Sequence, residues 1–340
     1  MTKIGIIGVG YWGPNLVRNF DSIPGCEIVS ICDLDEANLD NITSRYPYVK
    51  RYNDVDEMIA REDLDGVVIA TPTATHHGLA KKALEAGLHV FVEKPLTVET
   101  WQSQELIDIA SARGLVVFVG HIFLHSAPVM KLRELIASGE LGEISYISCK
   151  RLNLGPVRSD VSALYDLATH DISIVLHLLG QQPSTVCCQG LDHIKDGVHD
   201  VINLSMKFPN NKMGMVHCSW LDPRKERVIT VVGDQKMAVY DDLGEEKIRI
   251  YDKGVNVHSR SGELAEFQLS YRHGDMYSPW IKQQEPLKSE CSEFVRCIVE
   301  SDTPRTDGVN GLQVVEVLEA ANESLMNDGT PVSLESSIVI

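Results

Sequence analysis

The 340-residue chain has no run approaching the roughly 20 consecutive apolar residues that a membrane-spanning helix needs, so no span is expected. Basic residues are scarce: 31 Lys and Arg stand against 48 Asp and Glu, for a net charge of −17. That balance argues against a nucleic-acid surface or an anionic membrane as partner, while leaving room for a local basic pocket. Its eight cysteines form no disulfide framework and no zinc spacing. Cys187 and Cys188 are adjacent, and Cys291 and Cys297 are six apart, so reduced, mostly buried thiols are expected. Met1-Thr2-Lys3 leads straight into an apolar run that Gly5, Gly8 and Gly10 interrupt, which is unlike a signal peptide, and a cytoplasmic location is expected. Internal repeats and low-complexity tracts are also missing.

The chain is long enough for two domains and a sizeable core. Up to residue 121, short β-branched runs (Ile4–Ile7, Ile28–Ile31, Val67–Ala70, Val90–Val92 and Val116–Val119) alternate with helical patterns (Pro14–Phe20, Glu36–Tyr46, His76–Ala86 and Val98–Ala112). Such runs suit parallel strands buried on both faces, and the alternation predicts an α/β, doubly wound parallel sheet over 1–121. From 122 to 340 the rhythm changes. Helices are expected over Pro128–Ser138, Asp166–Leu179, Pro286–Glu300 and Gly311–Leu325. Strands are expected over Ile144–Leu152, Thr185–Gly190, Val201–Phe208, Met213–Cys218, Val228–Val232 and Lys236–Tyr240, with a hairpin turn at Pro209-Asn210-Asn211. This pattern predicts an α+β domain with a mainly antiparallel sheet. Asp252–Trp280 has weak periodicity and reads as a long excursion, either a rim to a site or oligomer contact, or a plain surface loop.

Gly8-Val9-Gly10-Tyr11-Trp12-Gly13 follows the first strand and opens the first helix, and Asp33 comes twenty residues after Gly13. Bare backbone N–H groups at a helix start suit a pyrophosphate. Gly8 allows the tight turn, Gly10 clears the approach of the phosphate, and Gly13 lets helix and strand pack closely. A carboxylate at Asp33 suits a ribose 2′-hydroxyl and repels a 2′-phosphate, which selects NAD over NADP. Tyr11 and Trp12 either wall the cofactor or pack the helix.

Four further stretches carry chemistry. Ala70-Thr71-Pro72-Thr73 ends a buried strand where a ligand lies in an open α/β sheet. Thr71 and Thr73 are placed to reach ribose or phosphate, and His76 to turn its ring to the cofactor; turn and capping chemistry explains Thr73 and His76 as well. Val92-Glu93-Lys94-Pro95 puts a charged pair directly after an apolar strand. Lys94 emerges beside the nicotinamide, where partial burial and a cationic ring lower its pKa toward that of a usable base. Pro95 is a candidate for a cis bond that fixes this aim. An ordinary surface lysine is the competing reading. Asp166 and His170 are four apart on a predicted helix, where a carboxylate one turn from an imidazole suits a proton relay, a dipole pairing or a structural histidine. His121 and His125 are also four apart, but no second acidic cluster has metal spacing, so no metal is expected. Lys150-Arg151-Leu152-Asn153-Leu154-Gly155-Pro156-Val157-Arg158-Ser159-Asp160 is locally basic, and suits either a substrate anion or a solvated strand end.

Gly8–Gly13, Ala70-Thr71-Pro72, Glu93-Lys94-Pro95, Gly139-Glu140-Leu141-Gly142-Glu143-Ile144, and Asp166 with His170 together resemble the glucose–fructose oxidoreductase / inositol dehydrogenase / rhizopine-catabolism (Gfo/Idh/MocA) family, over essentially the whole chain. The resemblance implies an NAD-binding Rossmann domain followed by an α+β domain with a large open sheet, often used for self-association, hence a homodimer or homotetramer. It also implies Lys94, Asp166 and His170 at the reacting carbon. Asn153-Leu154-Gly155-Pro156-Val157-Arg158-Ser159-Asp160, then Tyr165-Asp166-Leu167-Ala168-Thr169-His170-Asp171-Ile172, is similar to the nucleotide-sugar 3-dehydrogenase branch. That branch tends to carry Trp and Pro where this chain has Tyr165 and Thr169. The branch implies oxidation at C3 of a UDP-N-acetylhexosamine or its uronic acid. Lys94 or His170 then serves as base, Asp166 orients the pair, Asn153 and Arg158 contact substrate, and Gly8, Gly10, Tyr11, Trp12, Gly13, Asp33, Thr71, Thr73, His76, Glu93 and Lys94 surround NAD. A dehydrogenase of a free polyol, inositol or sugar phosphate is the alternative within enzymes. A non-catalytic NAD-binding regulator is the alternative outside them, though Lys94 and His170 would then be expected to be absent.

Overall fold

The structure is a computed structural model and describes residues 1–155, 157–158, 161–258 and 268–334. In chain order it begins β1 (Thr2–Ile7), α1 (Gly13–Asp21), β2 (Cys26–Cys32), α2 (Glu36–Thr43), β3 (Lys50–Tyr52) and α3 (Val55–Arg61). Then come β4 (Gly66–Ile69), α4 (His76–Glu85), β5 (His89–Glu93), α5 (Thr100–Arg113), β6 (Val117–Gly120), α6 (Ala127–Ala137), β7 (Ile144–Leu152) and α7 (Thr169–Leu179). The strands β8 (Thr185–Leu191), β9 (Val201–Phe208), β10 (Lys212–Ser219), β11 (Glu226–Gly233), β12 (Met237–Asp241), β13 (Ile248–His258) and β14 (Gln268–Tyr277) follow. The described chain ends with α8 (Pro286–Glu300), α9 (Gly308–Met326) and β15 (Val332–Ser333).

Contacts divide the chain into two units, Met1–Ser126 with Gln284–Glu319, and Ala127–Gln283 with Ala320–Ile340. In the first, β3-β2-β1-β4-β5-β6 form a parallel sheet among the described residues. The continuous apolar runs arise because both faces are covered. On one face Ile4, Ile6, Phe91 and Phe118 pack with Leu16 and Phe20 of α1 and Phe294 of α8. On the other, Ile7, Val67, Ile69, Val90 and Val92 pack with Ala80 and Leu84 of α4 and Leu106 of α5. Because α8 supplies Leu287, Cys291 and Phe294 to the first face, it and the first part of α9 group with the N-terminal sheet. Both lie within the segment 122–340 that the sequence pattern assigns to the second domain. That pattern also passes over β3 and α3, since β3 is a three-residue, largely exposed edge strand with no apolar run to mark it.

In the second unit, β14-β13-β12-β11-β7-β10-β9-β8-β15 form a sheet that is antiparallel except at the β7–β10 pair. Alternation is clear in β9, where Ile202, Leu204, Met206 and Phe208 point to the core. The excursion expected over Asp252–Trp280 is instead mostly a two-stranded ribbon, β13 paired with β14 from Ile250↔Tyr277 to His258↔Gln268. Exposed Val255, Tyr271 and Met276 explain the weak periodicity: beyond the buried Ile250, few described residues of the ribbon are buried enough to force apolar alternation. No helix among the described residues is long and apolar enough to cross a membrane.

Candidate functional site

The first unit gathers its chemistry at the carboxyl edge of its parallel sheet. Gly8 has φ +88°, and a side chain there would strike the Ala70 backbone at 2.8 Å; only glycine fits this turn. A Cβ on Gly13 would stand 2.5 Å from Gly8 O, so α1 starts against the turn. Gly10 faces open space, with Asn38 Nδ2 at 3.6 Å the one atom near a Cβ there. The loop thus has the clearance a pyrophosphate needs.

Asp33 sits after β2 and is clamped by the loop it serves. Val9 N–H donates to its Oδ2 at 2.8 Å, while Asp35 N–H and Asn38 Nδ2 donate to Oδ1 at 2.9 and 3.2 Å. One lone pair of Oδ2 is left for a hydroxyl donor, which fits a ribose. Tyr11 is almost wholly exposed, whereas Trp12 packs against the core and donates from Nε1 to Glu93 Oε1 at 2.7 Å.

Glu93 ends β5. Trp12, the Lys94 N–H at 3.3 Å and the backbone of Gly120 enclose its carboxyl. Burial pushes it up to about 7, against the pull of the Lys94 charge and the Trp12 bond. Lys94 follows, half-buried, and the Lys94–Pro95 peptide is cis. Thr71 and Thr73 lie in the loop after β4, where the Thr71 hydroxyl bonds that of Thr75 at 2.7 Å and Thr73 opens a short 3-10 turn. His76 departs from expectation. It is 1% exposed, and its ring lies between two carbonyls, Pro95 O at Nδ1 and Thr71 O at Nε2, both at 2.9 Å. Burial favours the neutral ring, which donates to one of these carbonyls, and His76 packs between the Thr71 loop and the Lys94–Pro95 loop with both nitrogens facing backbone.

The second unit holds Asn153, Arg158, Asp166 and His170. The helix start expected at Asp166 is instead a π-turn, Leu164–Ala168, and α7 begins at Thr169. Such wide turns recur at functional sites. Asp166 Oδ2 accepts from Trp220 Nε1 at 3.3 Å, and Arg158 Nη1 lies 3.6 Å from Oδ1. Arg158 and Asp166, both expected at the substrate, are thus brought together. Asn153, just beyond β7, donates its backbone N–H to Ser219 O at 3.1 Å. His170 stands in the first turn of α7. The basic stretch needs one correction: Arg151 is buried and holds Asp171 by two bonds, so its charge is spent inside the protein. Pro156, Ser159 and Asp160 of the same stretch lie outside the described residues.

Two buried polar residues of the first unit carried no functional reading in the sequence. Glu290 is fully buried on α8, and neither carboxyl oxygen has a hydrogen-bond partner among the described residues; an acid on an apolar stripe with Leu287 and Phe294 was the available signal. His121, read only for metal spacing, is buried one residue after β6, with Nδ1 bonded to Asn310 Oδ1 at 2.8 Å. Burial lowers it to about 4. Among the described residues no group of three or more His, Cys, Asp or Glu could hold a metal ion.

The family profile "Oxidoreductase family, NAD-binding Rossmann fold" matches residues 2–121, and "GFO/IDH/MocA C-terminal domain" matches 129–239. A UDP-N-acetylglucosamine 3-dehydrogenase from Acidithiobacillus ferrooxidans is 25% identical over 92% of this chain and 94% of its own. A solved structure of that enzyme superposes with TM-score 0.80 at 23% identity, covering 96% of this chain and 98% of the other. A myo-inositol 2-dehydrogenase from Thermotoga maritima is 22% identical over 95% of this chain and 96% of its own. An oxidoreductase from Agrobacterium radiobacter, solved with NAD+, L-tartaric acid and magnesium, has TM-score 0.81 at 18% identity and covers 98% of each chain. With both family domains matched across most of its length and the cofactor loop in place, the chain belongs to the Gfo/Idh/MocA family and is an NAD-dependent oxidoreductase.

Proposed function

We propose that this enzyme oxidises a secondary hydroxyl of a nucleotide-linked sugar, at C3 of a UDP-N-acetylhexosamine or its uronic acid. One observation carries the chemistry: the glycine loop after β1, Asp33 after β2 and Lys94 after β5 leave the same carboxyl edge of one parallel sheet. A base at that edge stands where a dinucleotide's reactive end is expected. NAD bound there supplies the hydride acceptor. Lys94 Nζ takes the hydroxyl proton as the carbonyl forms, with the His170 imidazole as the alternative base. Within the second unit Asp166 is the orienting carboxylate, and Asn153 and Arg158 hold the substrate. Residues 1–121 bind the cofactor, and 122–340 serve the substrate and self-association, with α8 and the first part of α9 packing on the cofactor sheet. The reading includes a cytoplasmic homodimer or homotetramer acting on a small molecule.

The sugar assignment draws on the similarity to the UDP-N-acetylglucosamine 3-dehydrogenase, which spans nearly all of both chains. The inositol dehydrogenase, covered as fully at lower identity, favours a free polyol as the second reading. Thermal shifts with NAD, UDP, UDP-sugars and inositol, followed by NADH formation, test both. Stabilisation by UDP-sugar in the presence of NAD, with NADH release, is expected. NADH release from inositol with no response to UDP or UDP-sugars would overturn the nucleotide-sugar assignment. Stabilisation by NAD without oxidation of any sugar or polyol would point to the non-catalytic reading.

A further inference from the structure

α8 packs over β5 in matched steps. Phe294 meets Phe91 with ring centroids 5.7 Å apart, and meets Phe118 at 5.6 Å. Glu290 lies one helical turn before Phe294, and Glu93 lies two strand residues beyond Phe91. A helical turn of four residues and a strand step of two residues each advance about 6 Å, and the Glu93 charge acts directly on Glu290, as it does when α8 runs against β5. Glu290 therefore comes to the level of Glu93, on the face of β5 that also holds Phe91. Glu290 is 0% exposed, and neither of its oxygens finds a donor among the described residues. Glu93, by contrast, accepts from Trp12 Nε1 and the Lys94 N–H, and has the Lys94 ammonium next in the chain.

Two neighbouring buried carboxyl groups cannot both ionise at low cost, so the pair keeps a proton. The member with donors takes the charge, and the member without them keeps the proton. We propose that Glu290 is a positioning residue for Lys94 that acts through Glu93: the two carboxyl groups form a buried acid pair, and an uncharged Glu290 lets Glu93 hold its negative charge beside the lysine. The surroundings agree. Burial raises Glu290 well above the usual range, and the Glu93 and Glu293 charges raise it further. Within α8, the Cys291 thiol is also raised by burial, and Glu293 is engaged by His125 and the Arg305 N–H. From α1, Arg18 is paired with Glu285 at the start of α8. The short turn after β6, which also packs on α8, brings His121 and His125, both lowered by burial. The β1 residues on this face, Ile4 and Ile6, are aliphatic.

The link to Lys94 rests on the proposed role of that residue, whereas the state of the acid pair does not, and the test separates them. An infrared difference spectrum of wild type minus Glu290→Gln, in mildly alkaline buffer, is expected to show one protonated carboxyl in the wild type. No such band overturns the acid pair. Trp12 reports on Glu93, read as the emission of each protein minus that of its Trp12→Phe version. In Glu290→Leu the midpoint of its pH titration should rise by about half to one unit, because the polar neighbour that helps Glu93 carry charge is gone. In Glu290→Gln it should stay near the wild type. An unmoved midpoint in Glu290→Leu overturns the proposal. With charge lost beside Lys94, the acid limb of the kcat profile should move down in Glu290→Leu with NAD affinity unchanged, and a limb that stays put overturns the positioning role. Failure of the wild type to oxidise any sugar or polyol would remove the Lys94 reading and leave both spectroscopic results standing.

Discussion

Arg151 and Asp171 meet in a two-point ion pair inside the C-terminal unit, Nε to Oδ2 at 2.7 Å and Nη2 to Oδ1 at 3.0 Å. It joins β7 to the first turn of α7, one residue after His170. The histidine is thereby fixed to the sheet by its neighbour. Removing one partner takes a two-point bond from a buried charge, so Asp171→Leu or Arg151→Met should cost about 3–5 kcal/mol. The double variant should recover much of that loss, since an apolar pair of similar volume tolerates the site. Urea unfolding of the three proteins gives the comparison, and additive losses in the double variant would show that the pair is not the source.

Asp33 gives the second prediction. Its carboxylate holds the Val9 and Asp35 N–H groups and is the proposed acceptor for the ribose. Asp33→Ala should weaken NAD about 10- to 100-fold, the worth of a hydrogen bond to a charged group, and should weaken NADP much less. Asp33→Asn keeps an acceptor without the charge that repels a 2′-phosphate, so it should narrow the preference while retaining more NAD affinity. Calorimetric titration with both cofactors checks this. Equal losses for NAD and NADP in Asp33→Ala would mean that the residue serves only the loop.

The parallel sheet and its glycine loop were readable in sequence because each is set by local rules: β-branched runs buried on two faces, and a turn that only glycine can make. Glu93-Lys94-Pro95 was readable because a charged pair after an apolar strand breaks the local pattern. The assignment of α8 to the N-terminal sheet was not readable, because Phe294 reaches Phe91 across some 200 residues of chain. Arg151 illustrates the same limit. Beside Lys150 it looks like part of a basic patch, and only the distant Asp171 shows that its charge is neutralised. His76 sits at a helix start where capping and ligand contact look alike, and its direction is set by the Pro95 carbonyl nineteen residues on.

Lys94 yields the third prediction. Lys94→Met preserves the stem's bulk and removes the amine. Hydride transfer should fall about 10²- to 10⁴-fold, the usual contribution of a positioned base, with NAD affinity nearly unchanged. Single-turnover NADH formation, measured alongside NAD binding, separates the two effects. Normal turnover in this variant would take Lys94 out of the mechanism and leave His170 as the base.

The fourth concerns stability against pH, where two buried groups of the first unit work in opposite directions. Glu93 is raised by burial from 4.5 to about 7, so the folded state binds more protons than the unfolded one between those values. Its contribution is present below 4.5 and is lost as pH rises through 7. His121 is lowered by burial from 6.5 to about 4, with the His125 and Lys94 charges adding to the effect against the Asn310 bond. The unfolded state binds more protons there, so this contribution grows as pH rises from 4 to 6.5. Between 4.5 and 6.5 the two slopes largely cancel in the wild type. Relative to the wild type, Glu93→Gln should therefore gain stability more steeply with rising pH across that window, and His121→Gln less steeply. Each difference is bounded at about 1.4 kcal/mol per pH unit, the slope for one proton. Denaturant midpoints measured across the window decide it, and parallel profiles in all three proteins would show that neither group changes its proton on folding.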